Sequence, residues 1–396
     1  MSLGQVGLIQ EMSQRALDLG VPMSVHFDIT YRCNERCVHC YLDHDDHGEM
    51  TTAEIKRVLD ELAEAGTFFL TFSGGEVLMR RDFFELLEYA RHLMFAVRIK
   101  TNAVMIGAAE AQCMLELGVD QVQVSIYSHR PAVHDAITKL TGSLRRSVEA
   151  IRFLTAQGLR VTIANVLMTA NMRDHSGVQA LARELGVQYT LDPTITPKMD
   201  GDTSILNLRI PGAELDGVFH NKNLVGNVEE FCAPPPAPDE DVMEGYPCSA
   251  GHTLAYISPY GDVFPCVQFP LPSGNVRRQK FLDIWNHSSE LNEVRSIRAK
   301  DLTVCSSCSH VGTCTRCPGL AYMEGSMRGP STADCEKSFH RTGIRSANML
   351  RQEQSVPSGP LIHIQPPGRL ENSSRGATKG PKGSVSLQEA APPSHI

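Results

Sequence analysis

The sequence contains no apolar run of the length, about eighteen residues, that a membrane-spanning helix needs. Its opening, MSLGQVGLIQEMSQRALDLG, also lacks the basic-then-apolar layout of a secretory signal. Both absences lead us to expect a cytoplasmic protein with no membrane partner. Reducing conditions there disfavour stable disulfides, so the twelve cysteines, most of them tightly grouped, read as metal ligands rather than cross-links. Basic charge is scarce too. The net charge is −8, with 37 Lys and Arg against 45 Asp and Glu, which argues against nucleic acid as a partner. A chain of 396 residues buries a substantial core, so its stability needs no metal or disulfide staple. The last absence is local. CNERCVHC, residues 33–40, sets Cys33, Cys37 and Cys40 within two helical turns, and no cysteine follows until Cys113. A closed structural metal site takes four ligands, so this loop is one short.

Between residues 25 and 192 strand-like runs alternate with amphipathic helical ones. VHFDIT, TFFLTFS, AVRIKT, DQVQVSI, RVTIANVLM and VQYTLD are the strands, separated by stretches such as TTAEIKRVLDELAEAG and SLRRSVEAIRFLTAQG with apolar residues three and four apart. Thr51 and Glu54 form a capping box, and Gly66, Gly118, Gly158 and Gly186 sit where helices end. This alternation predicts an α/β fold, a partial (β/α)6 barrel of the TIM type with a parallel sheet, whose site lies at the carboxyl ends of the strands. Cys33 follows the first of those ends. We divide the chain into an N-terminal segment (1–22), a barrel (23–228), a Pro- and acid-rich linker (229–247), a small cysteine-rich domain (248–345) and a disordered tail (355–396) rich in Pro, Gly and Ser.

Three thiolates can hold three corners of a cubane 4Fe-4S cluster and leave one iron for a substrate. Zinc is the alternative on spacing alone, with His39, His44 or His47 as a fourth ligand. C-x3-C-x2-C directly after a first strand resembles the radical S-adenosylmethionine (radical SAM) superfamily. In that family the open iron chelates S-adenosylmethionine, and one electron splits it to a 5′-deoxyadenosyl radical that abstracts hydrogen from a C–H bond. The resemblance implies that Cys33, Cys37 and Cys40 are the catalytic cluster ligands. His39 takes the position of the family's aromatic ring. Gly74, Gly75 and Glu76, after the second strand, match the Gly-Gly-Glu motif at the methionine end, with Val77 where a proline is usual. Thr101 and Asn102 match a Thr-Asn pair near the ribose, and Ser125 a strand serine at the cofactor's polar end. Asn165 is a weaker candidate on the fifth strand.

Downstream, Cys248 and Cys266 flank SPYGDVFP, followed by a GN turn, a DIW before a helix, and Cys305, Cys308, Cys314, Cys317 and Cys335. In this order they resemble the SPASM domain, which holds one or two auxiliary iron–sulfur clusters. By that resemblance Cys305, Cys308, Cys314 and Cys335 hold one cluster and Cys248, Cys266 and Cys317 belong to another, for which Cys232 is a candidate fourth ligand. CTRC has two residues where the family usually has three. A zinc ribbon remains the alternative by spacing. Cys113 reads as a buried small hydrophobe.

The resemblance implies a peptide maturase, acting on a ribosomally made peptide with an electron donor such as flavodoxin or ferredoxin. With about twenty residues before the first strand, a leader-recognition domain is expected to be a separate protein. Modification of a small molecule, such as a tetrapyrrole side chain or an amino sugar, is the alternative. A non-catalytic zinc scaffold is a third reading, which leaves Gly74, Gly75 and Glu76 unexplained. Asp192, Asp200 and Asp202 follow the sixth strand and either orient a substrate or cap turns.

Overall fold

A computed structural model describes residues 3–44 and 47–355. The tail expected to be disordered lies outside the described residues from 356 onward. Helix α1 (Leu3–Leu19) leads into β1 (Ser24–Thr30). There follow α2 (Thr52–Glu64), β2 (Phe69–Gly74), α3 (Phe83–His92), β3 (Ala96–Thr101), α4 (Ala108–Glu116) and β4 (Gln121–Ser125). After these come α5 (Pro131–Thr138), α6 (Ser143–Ala156), β5 (Val161–Val166), α7 (His175–Glu184) and β6 (Gln188–Asp192). The six strands pair in parallel in sequence order, as the alternation predicted. The expected local signals hold as well. The Glu54 amide donates to Thr51 Oγ1 at 3.3 Å and the Thr51 amide to Glu54 Oε2 at 2.7 Å. Gly66 closes its helix at φ +83°, a conformation that a Cβ would oppose.

Alternation along each strand sorts the two faces. Val25, Phe27, Leu70, Phe72, Val97 and Ile99 are fully buried against the helices, where Ile55, Val58, Leu59, Leu86 and Leu87 meet them. The other face carries His26, Asp28, Thr71, Lys100, Gln123 and Ser125. Most of these keep partial solvent access. The lumen is therefore polar and open, unlike the packed apolar interior of a closed barrel.

The cysteine-rich region contributes to the same sheet. β7 (Leu254–Ile257) lies parallel to β1, pairing Ser24 with Leu254 and Phe27 with Ile257, and β8 (Asp262–Phe264) and β9 (Gly274–Asn275) follow antiparallel. LAYI is too short to show a period, yet it satisfies the β1 edge that would otherwise stand unpaired. The stretch 229–247 holds two short helices, Val228–Phe231 and Glu240–Glu244. Among the described residues no helix is long and apolar enough to cross a membrane.

Candidate active site

β1 hands the chain at Thr30 to the loop of Cys33, Cys37 and Cys40, and buried partners fix that loop from both ends. The Glu49 carboxylate accepts from Thr30 Oγ1 (2.8 Å) and the Tyr31 amide (2.7 Å). Farther on, the Arg36 and Val38 amides donate to the Thr138 and Ile137 carbonyls at the end of α5, both at 3.0 Å. All three cysteines are partly buried. Burial pushes the Cys33 thiol up to about 12 and also raises Cys37 and Cys40, and for Cys33 and Cys37 the charges of nearby acids and thiols add to the shift. Three clustered thiols this reluctant to ionise suit a cationic centre that draws off their protons on binding. Among the described residues no group of three His, Cys, Asp or Glu converges as a single metal ion requires. His44 and His47, the possible zinc ligands, turn instead to the Tyr31 carbonyl (3.1 Å) and Asp43 (2.7 Å).

The other candidates surround this loop. Gly74 and Gly75 run against it: the Gly75 amide donates to Thr30 O (2.8 Å) and the Glu76 amide to Arg32 O (2.9 Å). A Cβ on Gly74 would lie 2.0 Å from Thr30 O, and one on Gly75 2.4 Å from Arg32 O. The glycines thus let the second strand's end close onto the cysteine loop. Glu76 is fully buried, and burial raises its pKa. Its carboxylate accepts from Thr101 Oγ1 (2.8 Å) and the Asn102 amide (2.9 Å). Asn102 Nδ2 donates to Asn34 Oδ1 at 2.7 Å and stands 3.8 Å from Cys33 Sγ. His39 lies edge-on to Tyr127 at 4.7 Å, held neutral by burial with its pKa down to about 4. Its Nδ1 is buried without a hydrogen-bond partner among the described residues, a polar atom left for a ligand. Ser125, the last residue of β4, is half-buried beside Tyr127.

The downstream cysteines form two groups. Cys305, Cys308, Cys314 and Cys335 line one cavity of about 300 Å³. Ser338 Oγ donates to Cys314 Sγ (3.3 Å) and the Ala347 amide to Cys308 Sγ (3.4 Å), the hydrogen bonds that orient and tune sulfur ligands. Cys248, Cys266 and Cys317 form the second group. Burial, then the charges of Cys248 and Cys317, push Cys266 up to about 11. Cys232 donates to Phe219 O at 3.5 Å, with Arg341 as its charged neighbour.

Several candidates serve structure here. Asn165 ties β4 to β5 by donating to Ile126 O (2.7 Å). Asp192 accepts from the Thr194 amide (2.9 Å), Asp200 from the Asp202 amide (2.8 Å), and Asp202 from Lys198 Nζ and the Ser204 amide (both 2.7 Å), so all three close turns. Cys113, expected to be buried, is only partly so. The sequence reading missed Glu35, Glu49, Lys100 and Arg316. Glu35 is 3% exposed beside the cluster loop, its Oε2 accepting from Cys37 Sγ at 3.5 Å, and burial raises its pKa to about 7. A buried acid inside the cysteine motif is the one signal that sequence offered.

Residues 27–177 match the model of the radical SAM superfamily, and residues 248–318 that of an iron–sulfur cluster-binding domain, SPASM. Mycofactocin maturase MftC of Mycobacterium tuberculosis is 27% identical over 387 residues, covering 92% of this chain and 97% of that protein. The AdoMet-dependent heme synthase of Methanosarcina barkeri is 27% identical over 329 residues, 76% of this chain and 92% of that one. The crystal structure of Streptococcus suis SuiB bound to its precursor peptide SuiA shares the fold, with a TM-score of 0.65 at 19% identity, covering 80% of this chain and 76% of that chain. With its three-cysteine loop, glycine-closed second strand and two further cysteine groups, this chain belongs to the radical SAM superfamily, enzymes of the 4Fe-4S cluster and S-adenosylmethionine, and carries a SPASM domain for auxiliary iron–sulfur clusters.

Proposed function

We propose that the protein matures a ribosomally made peptide by activating one of its C–H bonds. The observation that carries this reading is the polar inner face of the half-barrel, where His26, Thr71, Lys100, Gln123 and Ser125 keep solvent access on the strands whose carboxyl ends carry the cysteine loop. An extended peptide needs such a channel, with polar walls to meet its backbone. A relative aligned along 92% of this chain is named a maturase, and a structure of the same fold holds a precursor peptide. The heme synthase match supports the second reading, a tetrapyrrole side chain as substrate.

In this reading Cys33, Cys37 and Cys40 hold the catalytic cluster. His39, Gly74, Gly75, Glu76, Thr101, Asn102 and Ser125 surround its nucleotide. Cys305, Cys308, Cys314 and Cys335 hold one auxiliary cluster, and Cys248, Cys266 and Cys317 belong to another. Held there, a 4Fe-4S cluster and S-adenosylmethionine would supply the one-electron chemistry that abstracts hydrogen from a C–H bond. This chain's residues position and shelter that chemistry. Glu35 Oε2 already accepts from the Cys37 thiol and is placed to take the proton that Cys37 loses on ligation. Glu76 fixes Thr101 and the Asn102 backbone beside the loop, and Asn102 braces the loop through Asn34. The region 23–228 forms the radical core and 248–345 the auxiliary domain of a cytoplasmic enzyme. It draws electrons from a flavodoxin or ferredoxin and takes its peptide from a separate leader-recognition protein.

The test is anaerobic incubation of the reconstituted enzyme with S-adenosylmethionine, a reductant and each short peptide encoded beside its gene. A mass change in one peptide, absent from the Cys33→Ala, Cys37→Ala, Cys40→Ala variant, is expected. Formation of 5′-deoxyadenosine with every such peptide unchanged and a tetrapyrrole modified overturns the peptide reading.

A further inference from the structure

β3 places two cations on the lumen face, Arg98 and Lys100, and they differ in what holds them. The Arg98 guanidinium pairs with Asp120 at 3.4 Å and lies over the Phe69 ring at 4.2 Å, so it is spent on the barrel's own structure. Lys100 Nζ makes no hydrogen bond and no ion pair among the described residues. Val97 and Ile99, on the opposite face of the strand, are fully buried, whereas Lys100 is exposed, because it points into the open lumen.

Its surroundings locate it. Water reaches the Lys100 side chain, yet the lumen walls surround its ammonium and lower it, while Asp28 on β1, Cys266 and Asp192 on β6 each raise it through space. Groups on both sides of the half-barrel and on the cysteine-rich region thus face the same ammonium. Neither acid closes on it. Asp28, fully buried, is taken by His26 Nε2 and the Tyr256 hydroxyl, both at 2.9 Å, and Asp192 by the Thr194 amide. The next two residues, Thr101 and Asn102, contact Glu76 and the cysteine loop. Lys100 is therefore the lumen-facing residue next to the pair that braces the catalytic cysteine loop, and it lies within electrostatic reach of Cys266.

A lumen-facing ammonium with no counterion among the described residues is free to make a charge-assisted hydrogen bond to a ligand, and a carboxylate is the anion that best completes it. We propose that Lys100 anchors the substrate by a carboxylate, holding it in the lumen. The inference rests on the lumen's being the substrate site. It extends to an acidic side chain, a peptide C-terminus or a propionate, which share that chemistry.

The experiment measures binding to the iron-loaded enzyme by calorimetry, not turnover, using matched probes. N-acetyl-Ala-Glu-Ala-amide is compared with its Gln counterpart, N-acetyl-Ala-Ala-Ala as the free acid with its amide, and coproporphyrin with its tetramethyl ester. The acid of at least one pair is expected to bind roughly tenfold tighter than its neutral partner. Lys100→Gln is expected to erase that preference and Lys100→Arg to keep it, with iron content and S-adenosylmethionine affinity unchanged in both. The pair that responds identifies the source of the carboxylate. Absence of acid preference in every pair, its survival in Lys100→Gln, or a loss of S-adenosylmethionine affinity in Lys100→Gln, which would assign Lys100 to the nucleotide, overturns the proposal. A preference that holds while no neighbouring peptide is modified leaves Lys100 in place and removes only the peptide reading.

Discussion

Asn102, on the third strand's end, donates through Nδ2 to Asn34 Oδ1 at 2.7 Å, bridging 68 residues of sequence to brace the loop that follows Cys33. The same amide stands 3.8 Å from Cys33 Sγ, and the Glu35 amide donates to that sulfur at 3.4 Å. Donors around a ligating sulfur orient it and stabilise its anionic form.

Asn102→Ala removes both the brace and one sulfur contact while leaving its backbone amide on Glu76. Outer partners of metal ligands are typically worth about 10–100-fold in affinity or activity. We expect 5′-deoxyadenosine formation to fall by that factor and the first cluster's electron paramagnetic resonance signal to shift. Iron held by the downstream cysteines stays in place. Asn102→Asp, which keeps the shape but removes the donor, should resemble the alanine variant.

Gly75 is tied to the loop by distance rather than by dihedral freedom. Its φ is not positive, yet a Cβ would meet the Arg32 and Tyr31 carbonyl oxygens at 2.4 and 2.5 Å. Backbone cannot yield as a flexible side chain does, so Gly75→Ala should cost roughly 2–4 kcal/mol in thermal or urea unfolding and displace the cysteine loop. Gly158 offers the control, since it has φ +83° and nothing within 4 Å of its would-be Cβ. Gly158→Ala should cost only about 1 kcal/mol, with iron retention intact. Equal losses in the two variants would remove the close approach as the cause.

Arg316 is 8% exposed and lines the cavity of Cys305, Cys308, Cys314 and Cys335. Its Nε donates to Gly329 O (2.8 Å) and its Nη2 to Met327 O (2.5 Å), while Nη1 is buried without a partner among the described residues. The nearby Asp334 is engaged by Lys337 Nζ at 2.6 Å and by the Cys317 amide at 2.8 Å. A fixed positive charge beside a cluster favours its reduced, more negative state. Arg316→Met should therefore lower the midpoint potential of the cluster held by those four cysteines, read by redox titration of its electron paramagnetic resonance signal, with iron content retained. Arg316→Lys should recover part of the shift.

Much of this was legible because it is local. Strands and helices announced themselves by period, and Cys33, Cys37 and Cys40 by spacing. Thr51 with Glu54 marked a helix start. What stayed hidden depends on the third dimension. LAYI could not show that it would lie beside β1, since four residues carry no period. Glu76 gave no hint that Thr101 and Asn102 would occupy its carboxylate, because that contact spans 25 residues. Lys100 and Arg98 look alike in AVRIKT, and only Asp120 and Phe69, brought up by neighbouring strands, distinguish the occupied cation from the available one.

His134 yields a pH dependence whose sign the geometry sets. Its Nδ1 accepts from the Tyr127 amide at 3.1 Å, so that nitrogen must be unprotonated, and the ring is 1% exposed and stacked on Tyr127 at 5.5 Å. Burial holds its pKa down to about 4, against the partial opposition of Asp135. The unfolded chain, with an ordinary histidine near 6.5, binds the extra proton first as pH falls. This contribution is complete above about pH 6.5 and is lost progressively between there and about pH 4. At pH 5 it amounts to about 2 kcal/mol lost relative to pH 7, for this one group. Urea unfolding of the iron-free protein at the two pH values should show that loss, and His134→Gln, which cannot titrate, should show a smaller one. An undiminished pH slope in His134→Gln would shift the effect to His39 and His252, the other histidines held down to about 4 by burial.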